Sequence, residues 1–293
     1  MNTFAWPEGT RCGVFISVNF DAESLDLKST TPDRLFGRFS YGRYGVRAGL
    51  PRLMSMLARQ QLAATVFVTA DDARRHPEAV RSLAAAGHEI ASRGADLRPL
   101  PEQGDAERDG LELAHRALSE IVGRAPVGFR APAGELTSAT LATLAALGYR
   151  YDSSFQDADL PYVFGLDNGQ RIAELPTVSA LDDAPLYSGR HTMARLAKIW
   201  REEFDALYDA GGLVPLTLHL RGDIGSTRAA RIAALEELIA YIKARPGVQF
   251  MTCAELAETV LAQQLPAEPD PGTAHRATLA VTPYRGDLSI KPL

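Results

Sequence analysis

Polar and charged side chains follow directly on several apolar runs of this chain, and their types set the chemistry open to them. GVFISVN (13–19) ends on Asn19 and is followed by Asp21 and Glu23. HEIA (88–91) leads into Arg93 and Asp96. VGFR (127–130) ends on Arg130, YDSS (151–154) carries Asp152, Ser153 and Ser154, and VPLTLH (214–219) ends on His219, with Arg221 and Asp223 just beyond. Histidine, with an ordinary pKa of about 6.5, is the side chain suited to moving protons at neutral pH. Asp21 and Glu23 are candidate general bases. A guanidinium is always charged and offers five donors, so Arg93 and Arg130 can hold a developing oxyanion. Each residue also has a plainer reading. Asp21 and Glu23 can be structural partners of Arg93, Arg98 or Arg130, His219 a hydrogen-bonded core residue, and Asp152, Ser153 and Ser154 caps of a turn.

These residues reach one place only if the elements before them do. The runs at 13–19, 64–69, 88–91, 127–130, 174–177, 214–219 and 248–251 are almost continuously apolar, as in parallel strands buried on both faces, and YDSS is a short further candidate. Helical stripes separate them. Leu111, Ala114, Leu118 and Ile121 form one; Ile232, Leu235, Ile239 and Ile242 form another. Pro77 marks a helix start, and Gly123 and Gly148 mark helix ends. The alternation predicts an α/β fold with a parallel sheet, and seven to eight strands favour a barrel over an open sheet, with the site at the carboxyl ends of the strands. Segment 22–45 shows no period and is expected to be a long loop. The barrel is expected over 1–265, with 266–293, rich in Pro, Gly and Asp, as an extended arm or tail.

Composition narrows the function classes. A length of 293 residues suits one large domain, and 46% hydrophobic with 23% charged residues is ordinary for a globular protein. A net charge of −5 gives no general attraction to nucleic acid or an anionic membrane. Cys12 and Cys253 make neither a disulfide framework nor a zinc cluster, and read as buried thiols in a reducing compartment. The first residues lack a basic segment followed by an apolar one, and no apolar run approaches the roughly 20 residues of a membrane span. A cytoplasmic protein is expected. GRYG (42–45) lacks the Lys-Ser/Thr of a phosphate loop, so no nucleotide cofactor is expected. His76, His88, His115, His191 and His275 form no pair with ligand spacing and read as structural or surface residues.

The wording and order of the motifs resemble the NodB-type polysaccharide deacetylases from about residue 10 to 262, above all their intracellular branch of peptidoglycan deacetylases, cyclic-imide hydrolases and metal-independent allantoinases. The segments carrying the likeness include SVNFDAES (17–24), YGVRAGLPRLM (44–54), GHEIAS (87–92), GFRAPAGELT (128–137), ELPTVSALDD (174–183) and LTLH (216–219). The resemblance implies a distorted (β/α) barrel of seven to eight parallel strands and metal-assisted amide hydrolysis: one Asp and two His hold a divalent ion, a second Asp is the base, and a late-strand His protonates the leaving amine. Position by position, the metal-binding Asp falls on Asp21, the acid His on His219 and the base-orienting Arg on Arg130. The base falls on Asn19, which cannot take a proton at neutral pH. The two ligand histidines fall on Arg93 and Leu97, neither a metal ligand. A His-Trp pair frequent in the family falls on Val178 and Ser179.

The resulting expectation is a metal-independent hydrolase acting on a carbon–nitrogen bond of a small amide or cyclic imide, with no cofactor. His219, Asp21, Arg93 and Arg130 are its candidate catalytic residues, and Asn19, Glu23, Asp96, Ser153 and Arg221 its candidate substrate-binding residues. Arg93 either replaces the ion as an oxyanion stabiliser or merely neutralises Asp21. Two alternatives stand beside this: a non-catalytic protein binding a ligand or partner, and a repurposed lyase or cyclase. The loop and the tail could serve a subunit interface in a homo-oligomer.

Overall fold

The computed structural model describes residues 4–27 and 36–270. Its strands are β1 (Cys12–Phe20), β2 (Thr65–Val68), β3 (Glu89–Ser92), β4 (Gly128–Phe129), β5 (Tyr151–Asp152), β6 (Tyr162–Gly165), β7 (Arg171–Glu174), β8 (Leu213–His219), β9 (Val248–Phe250) and β10 (Glu268–Pro269). Its helices are α1 (Ser24–Leu27), α2 (Phe36–Tyr44), α3 (Leu50–Gln60), α4 (Ala70–Arg75), α5 (Pro77–Ala85), α6 (Glu107–Val122), α7 (Thr140–Ala146), α8 (Asp183–Ser188), α9 (Met193–Ala210), α10 (Ala229–Lys243) and α11 (Cys253–Ala262).

The strands form one twisted sheet in the order β10-β6-β7-β5-β4-β3-β2-β1-β8, with β9 also on β1. From β7 to β8 the pairings are parallel, while β6 runs antiparallel to β7. The ring is completed not by a ladder but by a single parallel bridge, Asp182 to Thr217, between the chain leaving β7 and β8. All nine residues of β1 and all seven of β8 are buried, which is why their sequences are apolar without alternation. The helices lay their stripes on the outside: Leu111, Ala114 and Leu118 of α6, and Ile232, Leu235, Ile239 and Ile242 of α10, are all buried.

At the amino end of the strands Glu89 accepts hydrogen bonds from Thr65 Oγ1, Tyr151 Oη and the Ala254 amide. This clamp ties β2, β3 and β5 to the start of α11 and fixes the floor on which the opposite rim stands. Cys12 and Cys253 are buried free thiols, each pushed up to about 12 chiefly by burial, so neither is reactive.

Two expectations need correction. Segment 22–45 is not a loop where it is described: α1, α2 and a π-turn at Gly45–Gly49 occupy it, and residues 28–35 lie outside the described residues. The strand expected at 174–177 ends where that run begins, because β7 is Arg171–Glu174, whose first residue is charged. The arm expected over 266–293 is described only as far as residue 270, with Glu268–Pro269 paired to β6, and residues 271–293, His275 among them, lie outside the described residues.

Candidate active site

Register brings the first two functional side chains together. β1 and β8 pair with Ser17 opposite Thr217 and Asn19 opposite His219. Opposed residues of paired strands point to the same face. Ser17 Oγ therefore meets Thr217 Oγ1 at 3.1 Å, and Asn19 Nδ2 meets His219 Nε2 at 3.1 Å.

Arg130, at the exit of β4, fixes the direction of that contact. Its Nη1 donates to Ser17 Oγ at 2.9 Å and to Asn19 Oδ1 at 3.3 Å, its Nε to the Ser153 carbonyl at 3.0 Å and its Nη2 to Ser153 Oγ at 3.0 Å. The guanidinium also lies 4.1 Å above the Phe67 ring. All these oxygens are neutral, and burial lowers the Arg130 pKa. With Oδ1 held by Arg130, Asn19 turns its NH₂ toward His219, so His219 Nε2 must accept and the ring proton sits on Nδ1.

That Nδ1 proton has a built receiver. Asp183, fully buried, accepts from His219 Nδ1 at 2.8 Å, from the His219 backbone amide at 3.1 Å and from the Ser226 amide at 2.7 Å. Asp182 caps α8 by accepting from the Ala184 amide, and its carboxylate stands 3.6 Å from His219 Nδ1. Burial pushes the His219 pKa down, but the bond to Asp183 and the charges of Asp183, Asp182 and Asp21 outweigh it and the pKa is raised. Asn19 acts against this rise, since a proton on Nε2 would face its N–H. Asp183 is raised too, by burial, against the pull of His219.

The third side of the site lies where β1 and β3 end. Asp21 Oδ1 is 3.2 Å from Arg93 Nε, with both side chains buried (5% and 11% exposed), yet the N–H is not aligned and neither atom makes a hydrogen bond. Asp21 Oδ2 stands 3.8 Å from His219 Nε2. Leu97 is buried in the same loop. One carboxylate, one guanidinium and one isobutyl group do not make a divalent-ion site, because a cation needs lone pairs and Arg93 supplies positive charge instead. Asp182, Asp183 and His219 do place ligand-type atoms within 4.8 Å of one another, but hydrogen bonds already occupy Asp183, His219 Nδ1 and Asp182 Oδ1.

Asn19, Arg93, Arg130, Ser153, Asp182 and His219 line a polar cavity of about 190 Å³. Three residues expected at the substrate lie elsewhere. Glu23 is bound to His76 Nε2 at 2.7 Å, so His76 has a definite partner. Asp96 accepts from the amide and Nε of Arg98 and borders a neighbouring cavity of about 560 Å³ with Asp71, Leu97 and Glu102. Arg221 is 2% exposed and spends its nitrogens on Asp26, Asp223 and the Ala22 carbonyl, bracing α1 against the loop after β8. The larger cavity holds no part of the Asp183–His219–Asn19–Arg130 chain, so the smaller one is the candidate site.

Sequence reading missed Asp182 and Asp183, and with them Gln156 and Thr177 of the cavity wall. The signal for the acids was two adjacent carboxylates at a helix start, obscured because that stretch follows the misplaced strand. Ser179, at the family's Trp position, donates to Gln156 Oε1 at 2.5 Å and so leaves the Gln156 NH₂ free for the cavity.

Comparisons with known proteins bear on the family and the fold. The family model for polysaccharide deacetylase matches residues 33–151. A Mycobacterium smegmatis protein solved as a candidate polysaccharide deacetylase is 38% identical, with 90% of this chain and 95% of that one covered and a TM-score of 0.84. The structure of an allantoinase is 26% identical, with 88% and 93% covered and a TM-score of 0.79. A curated peptidoglycan deacetylase of Helicobacter pylori is 23% identical over 257 residues, 76% of this chain and 87% of that protein. No helix among the described residues is long and apolar enough to cross a membrane. With 38% identity to a polysaccharide-deacetylase structure over nearly the whole of both chains, and the family model matching within that span, the chain belongs to the polysaccharide deacetylase family.

Proposed function

We propose that this protein is a metal-independent hydrolase of a carbon–nitrogen bond in a small amide or cyclic imide. The observation that carries this reading is the hydrogen-bonded chain Asp183–His219–Asn19–Arg130, which leaves a lone pair on His219 Nε2 at the wall of a small polar cavity. The base lost at Asn19 is replaced by the histidine itself. A water entering between His219 and the substrate carbonyl takes over the contact now made by Asn19. His219 accepts one proton of that water while its oxygen bonds to the carbonyl carbon. Asp183 and Asp21 stabilise the imidazolium, and Arg93 donates to the oxyanion in place of the family's ion. The C–N bond then breaks as His219 returns the proton to the leaving nitrogen, giving a carboxyl group and an amine from an amide, or a carboxyl group and an amide from an imide. General base catalysis of this type contributes about 10²–10⁴-fold, and one oxyanion donor about 10²–10³-fold. The cavity supports a small substrate, and the likeness to an allantoinase supports a cyclic one.

The test is a panel of small amides and cyclic imides assayed with the protein, His219→Ala and Arg93→Ala, alongside metal analysis of the purified chain. Turnover in the wild type that both substitutions abolish, with no stoichiometric metal, is the expected result. Turnover that survives both, or loss of activity on chelation, overturns the assignment. Ligand binding without turnover on any member shows a non-catalytic binding protein.

A further inference from the structure

Asp152 and Glu174 are register neighbours on β5 and β7, so their carboxyls lie on the same face of the sheet, and both are fully buried. Neither has an ion-pair partner within 4.0 Å among the described residues. Asp152 accepts from the Ser154 amide at 3.1 Å and from Ser154 Oγ at 2.8 Å; Glu174 Oε1 accepts from the Phe155 amide at 3.0 Å. Glu174 Oε2 is buried with no donor. Two ionised carboxyls are acceptors only, and two such charges side by side and fully buried repel, so the second ionisation is strongly disfavoured. One proton resolves both difficulties, since a protonated Glu174 donates to Asp152. The proton belongs on Glu174, because Asp152 receives more hydrogen bonds, and those favour its ionised form.

We propose that Asp152 and Glu174 hold a single proton between them, carried by Glu174, and that this proton positions the cavity wall formed by Ser153, Ser154 and Gln156. The segment 153–155 is gripped from both sides. Arg130 holds the Ser153 carbonyl and hydroxyl, while the carboxyl pair holds the amides of Ser154 and Phe155 and the Ser154 hydroxyl. Ser154 Oγ in turn receives the Ala131 amide at 2.9 Å, joining the wall to the loop after β4. The titratable groups facing the pair add no positive charge. Asp157 follows in the same segment, Tyr162 stands opposite Glu174 on β6 and donates to Asp157, and α7, packed on β7, brings only Thr, Leu and Ala. Burial first, then the charge of Asp152, raises Glu174 well above the usual carboxyl range. Glu174 is therefore a positioning residue, acting through Asp152 and the two serines. Its importance for substrate rests on the reading of the cavity as the active site.

Infrared spectroscopy at pH 7 tests the proton. The wild-type spectrum carries the carbonyl stretch of a protonated buried carboxyl that Glu174→Gln lacks, and a wild-type-minus-variant difference without that band overturns the proposal. Hydrogen exchange tests the positioning. Glu174→Gln, whose amide supplies a permanent donor, keeps the protection of residues 153–156. Glu174→Leu lowers protection there by about tenfold, the equivalent of one buried hydrogen bond, and leaves α10 unchanged. Equal protection in the two variants, or a loss spread evenly along the chain, overturns the positioning role. Both readouts work without turnover, so they stand or fall apart from the hydrolase reading.

Discussion

The two sides of the rim differ in how fully their polar atoms are engaged. Around β8, Asp183 takes three hydrogen bonds and both nitrogens of His219 are fixed. Around β3, Asp21 Oδ1, Arg93 Nε and Asp72 Oδ1 are buried with no hydrogen bond. In the proposed reaction the first side handles a proton, and catalysis there gains from rigidity, because a fixed tautomer is ready before substrate arrives. In the same proposal the second side faces the carbonyl, where the unengaged Arg93 Nε is the donor an oxyanion requires. Relative to the family pattern, Arg93 and Leu97 alter the β3 side and Asn19 alters the β8 side, where His219 and Arg130 are kept.

The comparison breaks first at His219. His219→Ala is expected to lower kcat/KM by about 10³–10⁴-fold, and Asp183→Asn by about 10²–10³-fold with the fold retained, since both hold the proton chain. Equal activity of Asp183→Asn and wild type in a steady-state assay shows that the fixed tautomer has no catalytic role. On the carbonyl side, Arg93→Ala is expected to cost about 10²–10³-fold in kcat with a smaller change in KM, because the donor acts on charge that develops in the transition state. A loss confined to KM assigns Arg93 to ground-state binding.

The sequence made the proton side legible in part and the carbonyl side almost fully. Asn19, Asp21, Arg93 and His219 end apolar runs of buried parallel strands, so their positions follow from the period alone. Asp183 does not end a strand. It reaches His219 because the chain leaving β7 closes the ring through the Asp182–Thr217 bridge, a long-range contact that no local pattern encodes. Arg221 misled for the converse reason. It follows a strand like the others, but a folded helix, α1, supplies Asp26 to absorb it, and segment 22–45 showed no period that foretold a helix. The two-residue strands β4 and β5 lie in the apolar run VGFR and the short candidate YDSS, whereas β6, YVFG, the antiparallel strand, is not among the candidates.

Asp72 offers a smaller, purely energetic contrast. It is fully buried, Asp21 and Glu23 lie near it, and its pKa is raised from 3.8 to about 6, first by burial. The folded chain therefore binds more protons than the unfolded chain between those values, and stability falls as pH rises through that window. Asp72→Asn keeps the Thr69 contacts of the helix start and removes the buried charge. Denaturant unfolding is expected to show the variant about 1–3 kcal/mol more stable at pH 8 and matched to wild type near pH 4, since each tenfold change in proton affinity is worth about 1.4 kcal/mol. A constant difference at both pH values assigns the effect to packing instead of ionisation.

The finest test acts on the contact that joins the two sides. Asn19→Asp restores a carboxylate beside His219 Nε2, with Arg130 Nη1 already placed to hold one of its oxygens. A negative charge there stabilises the imidazolium, so the His219 pKa, already raised by Asp183, Asp182 and Asp21, rises further. The neutral ring is the working base, so the acidic limb of the kcat/KM profile is expected to move to higher pH, with activity at the alkaline plateau little changed. Nuclear magnetic resonance titration of the His219 ring reads the same shift without substrate. Metal dependence is not expected to return, because Arg93 and Leu97 still stand at the ligand positions. A limb that moves to lower pH shows that the new carboxylate, and not His219, takes the proton. The difference between the two sides would then rest on one amide at position 19, not on the tautomer fixed by Asp183.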